Sequence, residues 1–169
     1  RQTVLGLARA VDAELADWIA AHCTFPNSMV DCIVPATGPA EIAKAAEMGV
    51  ADQAPVTHEP FRQWVIEDSF CAGRPDWDKV GATFTDAVHA YETMKIRILN
   101  AGHQVIANAG ELLSCATIAD CMEDADIRSL FEKVETEEIA PYVHAVPEIT
   151  PEAYVALIAS RFSNPAIRD

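Results

Sequence analysis

A lysine, an asparagine and a histidine, spaced five and three residues apart, sit in the run Tyr91-Glu92-Thr93-Met94-Lys95-Ile96-Arg97-Ile98-Leu99-Asn100-Ala101-Gly102-His103. An amine can take a proton from a hydroxyl, an amide can donate to the alkoxide that forms, and an imidazole can do either. The run is apolar nearly all the way round, the pattern of a buried helix. At about 100° per residue, Glu92, Lys95, Asn100 and His103 fall within an arc of roughly 140°. Burying such groups together is costly unless they face one another or a ligand. A buried, unpaired lysine also loses its proton more easily, as a general base requires. Singly, each residue has a plainer reading: a lysine snorkelling from a helix edge, a satisfied core amide, a satisfied core histidine. Their coincidence on one sector favours chemistry, so this sector reads as one wall of an active site.

Composition limits what the rest of that site can be. The 169 residues suit one domain or a piece of a larger protein, and half of them are hydrophobic, enough for a core. A net charge of -14 argues against nucleic acid and against anionic membranes as partners. No apolar run approaches the 18–20 or so residues of a membrane span, and no secretion signal opens the chain. It begins at Arg1, which suggests a chain processed or cut from something longer. Cys23, Cys32, Cys71, Cys115 and Cys121 are an odd, scattered set that fits reduced thiols in a cytoplasmic protein. Neither CxxC nor HExxH occurs, and the six-residue spacing of Cys115 and Cys121 suits zinc poorly, so no metal is expected.

The elements that must position the candidate wall can be read coarsely. Residues 7–22 have helical spacing, with Leu7, Val11, Leu15, Trp18 and Ile19 on one face. Pro26 and Asn27 predict a turn beside a short apolar run, where a turn asparagine is the ordinary reading. Residues 40–48 read as a short helix. Gln63 to Asp68 and Gly81 to Thr85 read as strands, with Glu67 and Asp68 closing the first, where acidic residues are often simply solvated. Helices are expected over 91–108, 111–123, 126–139 and 151–161, with Thr150 as cap and Pro151 at the first helical position of the last. The run Glu135-Thr136-Glu137-Glu138 reads as a solvated helix face, Trp18, Trp64 and Trp77 as packing anchors, and His22, His58, His89 and His144 carry no assigned role. The front is thus mixed and the back helical, with a junction between residues 58 and 90. Such a junction is a favoured place for a substrate cleft.

Four segments together resemble the mannitol dehydrogenase family, the polyol-specific long-chain dehydrogenases. They are Thr24-Phe25-Pro26-Asn27-Ser28-Met29-Val30-Asp31, Glu59-Pro60-Phe61-Arg62-Gln63-Trp64-Val65-Ile66-Glu67-Asp68, Met94-Lys95-Ile96-Arg97-Ile98-Leu99-Asn100-Ala101-Gly102-His103 and Arg161-Phe162-Ser163-Asn164-Pro165. They occur in the family's order, and Lys-x4-Asn-x2-His is the most specific. The resemblance implies an α+β to mainly α fold. Residues 1–57 would be the C-terminal tail of a Rossmann-type dinucleotide domain. Residues 58–169 would start a mostly helical substrate domain, like the C-terminal domain of 6-phosphogluconate dehydrogenase, with the boundary between 58 and 90.

The resemblance also implies metal-independent, NAD- or NADP-dependent interconversion of a sugar alcohol and its ketose, in a cytoplasmic protein that works as a monomer. Lys95 matches the family's general base, Asn27 and Asn100 the amides that hold the reacting oxygen, and His103 a residue that helps hold that oxygen or a neighbouring hydroxyl. Asp68 matches an acidic residue of the substrate site, and Glu92 a carboxylate that assists proton exit. Two features depart from the pattern. No GxGxxG occurs in the 169 residues, so the chain reads as an internal piece, inactive or weakly active alone. Cys32 stands where the family usually has arginine. A hexuronate oxidoreductase of the same family is the nearest alternative, and a non-catalytic helical binding module is the alternative of another class.

Overall fold

The computed structural model describes residues 1–167. It forms two compact units that interleave along the chain: residues 1–30 with 63–88, and residues 31–62 with the segment from His89 onward.

The first unit opens with two helices where the spacing predicts one. Asp12 breaks the 7–22 pattern: it adopts extended backbone, and its Oδ1 accepts from Glu14 N–H at 2.8 Å and Leu15 N–H at 3.3 Å. An N-cap of this kind ends α1 (Gln2–Val11) and starts α2 (Ala13–His22). The stripe of Leu7, Val11, Leu15 and Trp18 is exposed, not core. A three-stranded sheet follows, with β1 (Ser28–Asp31), β2 (Gln63–Glu67) and β3 (Ala82–Thr85) side by side in chain order. β2 and β3 are parallel, with Val65 opposite Thr83 and Ile66 opposite Phe84. β2 and β3 match the expected strands, whereas β1 is the short apolar run beside the Pro26-Asn27 turn, whose four residues are too few to signal a strand. Trp64 and Trp77 stack at 4.9 Å, about 40 % exposed each, so they form a surface stack and not a core anchor.

In the second unit, α3 (Pro39–Glu47) is closed by the Glu41 carboxylate accepting from Gly38 N–H at 2.8 Å. The long helix then runs from α4 (Val88–Met94) through a π-helical turn (Lys95–Asn100) into α5 (Ala101–Leu113). It continues past the expected end at residue 108 to Leu113 and stops there because Ser114 takes left-handed backbone (φ 59°), so residues 111–123 are not one helix. α6 (Ile118–Glu123), α7 (Ala125–Lys133), a second π-helical turn (Val134–Ile139) and α8 (Pro151–Phe162) complete the unit. Thr150 caps α8 as predicted, accepting from Ala153 N–H at 3.3 Å. Ile98, Ile106, Met122, Ile127, Phe131 and Ile158 form the core.

Candidate active site

The helix carrying Lys95 is not buried all round. Met94, Ile98, Leu99 and Ile106 are in the core, whereas Lys95 and His103 are half-buried and Ile96, Arg97 and Asn100 exposed. The polar sector is therefore an open wall. The π-turn changes its geometry. In an α-helix, five residues at about 100° each would leave Asn100 roughly 140° round from Lys95. An i→i+5 bond, from Ala101 N–H to Ile96 C=O, widens the turn and reduces the rotation between residues five apart. Lys95 and Asn100, the first and last residues of the turn, are thus less far apart in rotation than on an ideal α-helix. Single π-turns inside α-helices are frequent at functional sites. His103 follows within the first turn of α5, its ring edge-on to Phe162 at 5.5 Å. Glu92 lies one turn before Lys95, with His89 Nδ1 3.4 Å from its Oε2.

Asn27 and Asp68 belong to the first unit. Asn27 and Glu67 are clasped: Asn27 N–H donates to Glu67 Oε2 at 2.8 Å, and Glu67 N–H donates to Asn27 C=O at 2.8 Å. The Asn27 side-chain oxygen accepts from Ser28 N–H at 3.0 Å, which fixes the rotation of the amide. Asp68 follows at the end of β2, its N–H bonded to Thr85 C=O and its carboxylate 3.4 Å from Arg74, whose guanidinium lies 4.3 Å over the Phe84 ring.

Sequence reasoning missed a buried ionic cluster in the second unit. Arg161 donates to both oxygens of Asp31 (2.7 and 3.0 Å) and to both oxygens of Glu59 (2.6 and 3.1 Å), above the Phe61 ring at 4.2 Å. Tyr154 O–H donates to Asp31 at 2.6 Å. Burial pulls the guanidinium pKa down, but the bonds to Asp31 and Glu59 outweigh it and hold Arg161 above its usual value. Burial and the Asp31 charge push Tyr154 up. All four are fully buried, so this is a staple between chain segments and not a surface for substrate. Beside it Cys32 puts its thiol 3.6 Å from His58 Nδ1, and burial followed by the Glu59 charge raises the thiol pKa.

The second miss is Glu135, fully buried where a solvated face was expected. Its signal was present: Ile127, Phe131 and Glu135 are four apart, so the core face of α7 runs straight into it. Among the described residues no group of three or more His, Cys, Asp or Glu side chains is placed to hold a metal ion, and no helix is long and apolar enough to cross a membrane.

The family model of the mannitol dehydrogenase Rossmann domain matches residues 1–79, and that of the mannitol dehydrogenase C-terminal domain matches residues 87–169. The chain belongs to the mannitol dehydrogenase family. It is 56 % identical over 169 residues to a mannitol 2-dehydrogenase of Cereibacter sphaeroides, covering all of this chain and 35 % of that protein. It is 47 % identical over 167 residues to the D-mannonate oxidoreductase of Escherichia coli K12, covering 98 % and 34 %. Among solved structures, the Pseudomonas fluorescens mannitol 2-dehydrogenase in ternary complex with NAD and D-mannitol matches with a TM-score of 0.85 and 41 % identity, over 98 % of this chain and 34 % of that one. The chain thus spans about a third of the length of these relatives.

Proposed function

We propose that this chain is the part of an NAD(P)-dependent polyol dehydrogenase that runs from the tail of the dinucleotide domain into the helical substrate domain, the boundary falling between residues 58 and 90. It takes part in oxidising a sugar alcohol of mannitol or arabinitol type to the ketose, and in the reverse reduction, without a metal. The observation that carries this reading is the placement of Lys95 and Asn100 at the two ends of one π-turn, with His103 in the helical turn that follows. The donor set fits a carbinol whose proton must leave as its hydride does: a proton acceptor and amide donors. When bound, NAD(P) supplies the hydride acceptor. No residue of these 169 is assigned to holding it.

Lys95 Nζ takes the hydroxyl proton. Asn100 and Asn27 donate to the oxygen as charge grows on it, and neither ionises in doing so. His103 holds that oxygen or its neighbour, and Asp68 contributes to the substrate site. Glu92, next to the exposed His89, supports an outlet for the proton from Lys95 to solvent. In the longer protein that carries this chain, Lys95→Ala is expected to lower turnover by about a hundredfold or more while leaving cofactor affinity nearly unchanged. Turnover that survived the change would remove Lys95 from the reaction.

The likeness to D-mannonate oxidoreductase favours a hexuronate as the second reading. Comparing kcat/KM for mannitol, arabinitol, sorbitol, fructose and fructuronate decides between them, since a uronate enzyme needs a cation for the carboxylate and would prefer fructuronate.

A further inference from the structure

Glu135 is the second residue of the second π-turn, which packs against the turn carrying Lys95. Its side chain is sealed from solvent, and neither carboxyl oxygen has a hydrogen-bond partner. A buried polar group without a partner costs free energy, and in a native structure it calls for an explanation. Its position supplies one. A Cβ added at Gly102 would lie 2.8 Å from Glu135 Oε1 and 2.8 Å from Phe131 Cε2. The carboxyl is therefore pressed onto the backbone of the turn that holds Asn100 and His103, at the one residue with no side chain to hold it off.

We propose that Glu135 is a positioning residue for the dehydrogenase site, its side chain fixing the Asn100–His103 turn from behind through Gly102, so that charging it displaces that turn. The inference rests on the polyol dehydrogenase reading of Lys95, Asn100 and His103. Burial alone pushes the Glu135 carboxyl up to about 8, so it is an uncharged acid at neutral pH. Charged and titratable groups on the elements packed against it do not neutralise it. Arg128, Glu132 and Lys133 on α7 and Tyr142 beyond the turn are exposed, as is Glu152 on α8. Tyr154 and Arg161 on α8 are committed to Asp31 and Glu59. Lys95, Arg97 and His103, on the helix it presses against, make no hydrogen bond to it. On deprotonation the anion would have no donor in reach, so water must enter or the turn must move, and either takes Asn100 and His103 out of place.

The test uses the longer, catalytically complete protein and its Glu135→Gln variant, which keeps the shape and cannot ionise. In the unmodified protein kcat/KM for the polyol should fall about tenfold per pH unit above the Glu135 midpoint, and the His103 ring signals in NMR should shift with that same midpoint near 8. In Glu135→Gln both transitions should be gone. Identical pH profiles and identical His103 shifts in the two proteins would overturn the proposal, leaving the dehydrogenase reading intact. His103 shifts that follow Glu135 in a protein inactive on every polyol and uronate would support the positioning and defeat the activity. Should Glu135→Gln not fold, the unmodified protein still decides. The infrared carbonyl stretch of a buried carboxylic acid must vanish together with the His103 shift, and two separate midpoints would sink the idea.

Discussion

Gly102 leaves room for nothing beyond hydrogen. With Glu135 Oε1 and Phe131 Cε2 each 2.8 Å from where a Cβ would stand, Gly102→Ala must push the carboxyl, the ring or the helix aside. Overpacking of this kind costs about 1–3 kcal/mol, which thermal unfolding of the variant would register. Because the strain falls between Asn100 and His103, polyol KM should rise while cofactor affinity holds. The glycine was visible in the sequence as an odd choice inside an apolar helix, a sign of close approach. What approaches it was not visible, since Glu135 was read with its acidic neighbours Glu137 and Glu138, which are exposed. Glu135 also makes a stability prediction with a definite sign. Its folded pKa is raised from 4.5 to about 8, so the unfolded chain releases the proton first. The stability of the native state is then greatest at the acid end of that window and falls as pH rises to about 8, beyond which this contribution is flat. At about 1.4 kcal/mol per unit the loss amounts to a few kcal/mol. Melting curves between pH 5 and 9 should show the decline in the unmodified protein, and Glu135→Gln should remove this part of it.

At the scale of elements, the Arg161 cluster explains why segments that look functional can be structural. Asp31 ends β1, Glu59 precedes β2, and Tyr154 and Arg161 lie on α8, yet all four meet inside the second unit. Asp31, Glu59 and Arg161 each belong to a stretch that carried the family resemblance, and the motif pattern alone does not separate catalysis from stapling. Removing the cation leaves two buried carboxylates without their partner, so Arg161→Leu should cost about 3–5 kcal/mol. Arg161→Lys should recover little of it, because an ammonium cannot bond both carboxylates in a planar fork. Denaturant unfolding of the two variants checks both statements. A loss below 1 kcal/mol in Arg161→Leu would mean that the carboxylates find other donors. The start of α8 was legible from Thr150 and Pro151, since capping is local chemistry. The partner of Arg161 was not, because 130 residues separate it from Asp31 and no periodicity spans that distance. The π-turn lies between these cases: the five-residue spacing of Lys95 and Asn100 is written in the sequence, but 3.6 residues per turn places them at the two edges of one sector and gives no sign of the wider turn.

At the scale of the molecule, periodicity reported that a helix face wants cover without saying what covers it. The spacing puts Leu7, Val11, Leu15 and Trp18 on one apolar face, and Leu7 and Val11 are 67 % and 85 % exposed. β2 and β3 were legible as strands, though not their parallel pairing, while the glycine-rich turn that would bind a dinucleotide is nowhere in the 169 residues. The chain nonetheless matches relatives of about three times its length across nearly its whole extent. If the nucleotide is held by the remainder of such a protein, a ligand that binds the native state should stabilise the longer protein alone. Stabilisation follows RT ln(1 + [L]/Kd), about 2.7 kcal/mol at a hundredfold excess over Kd. NAD or NADP at that excess should raise the melting temperature of the longer protein by a few degrees, and whichever cofactor gives the larger rise at equal concentration is the preferred one. Residues 1–169 alone should melt at the same temperature with or without either nucleotide. A rise in that shorter chain would show that it holds a nucleotide site of its own, and the division of labour between a cofactor-bearing part and the wall formed by Lys95, Asn100 and His103 would have to be redrawn.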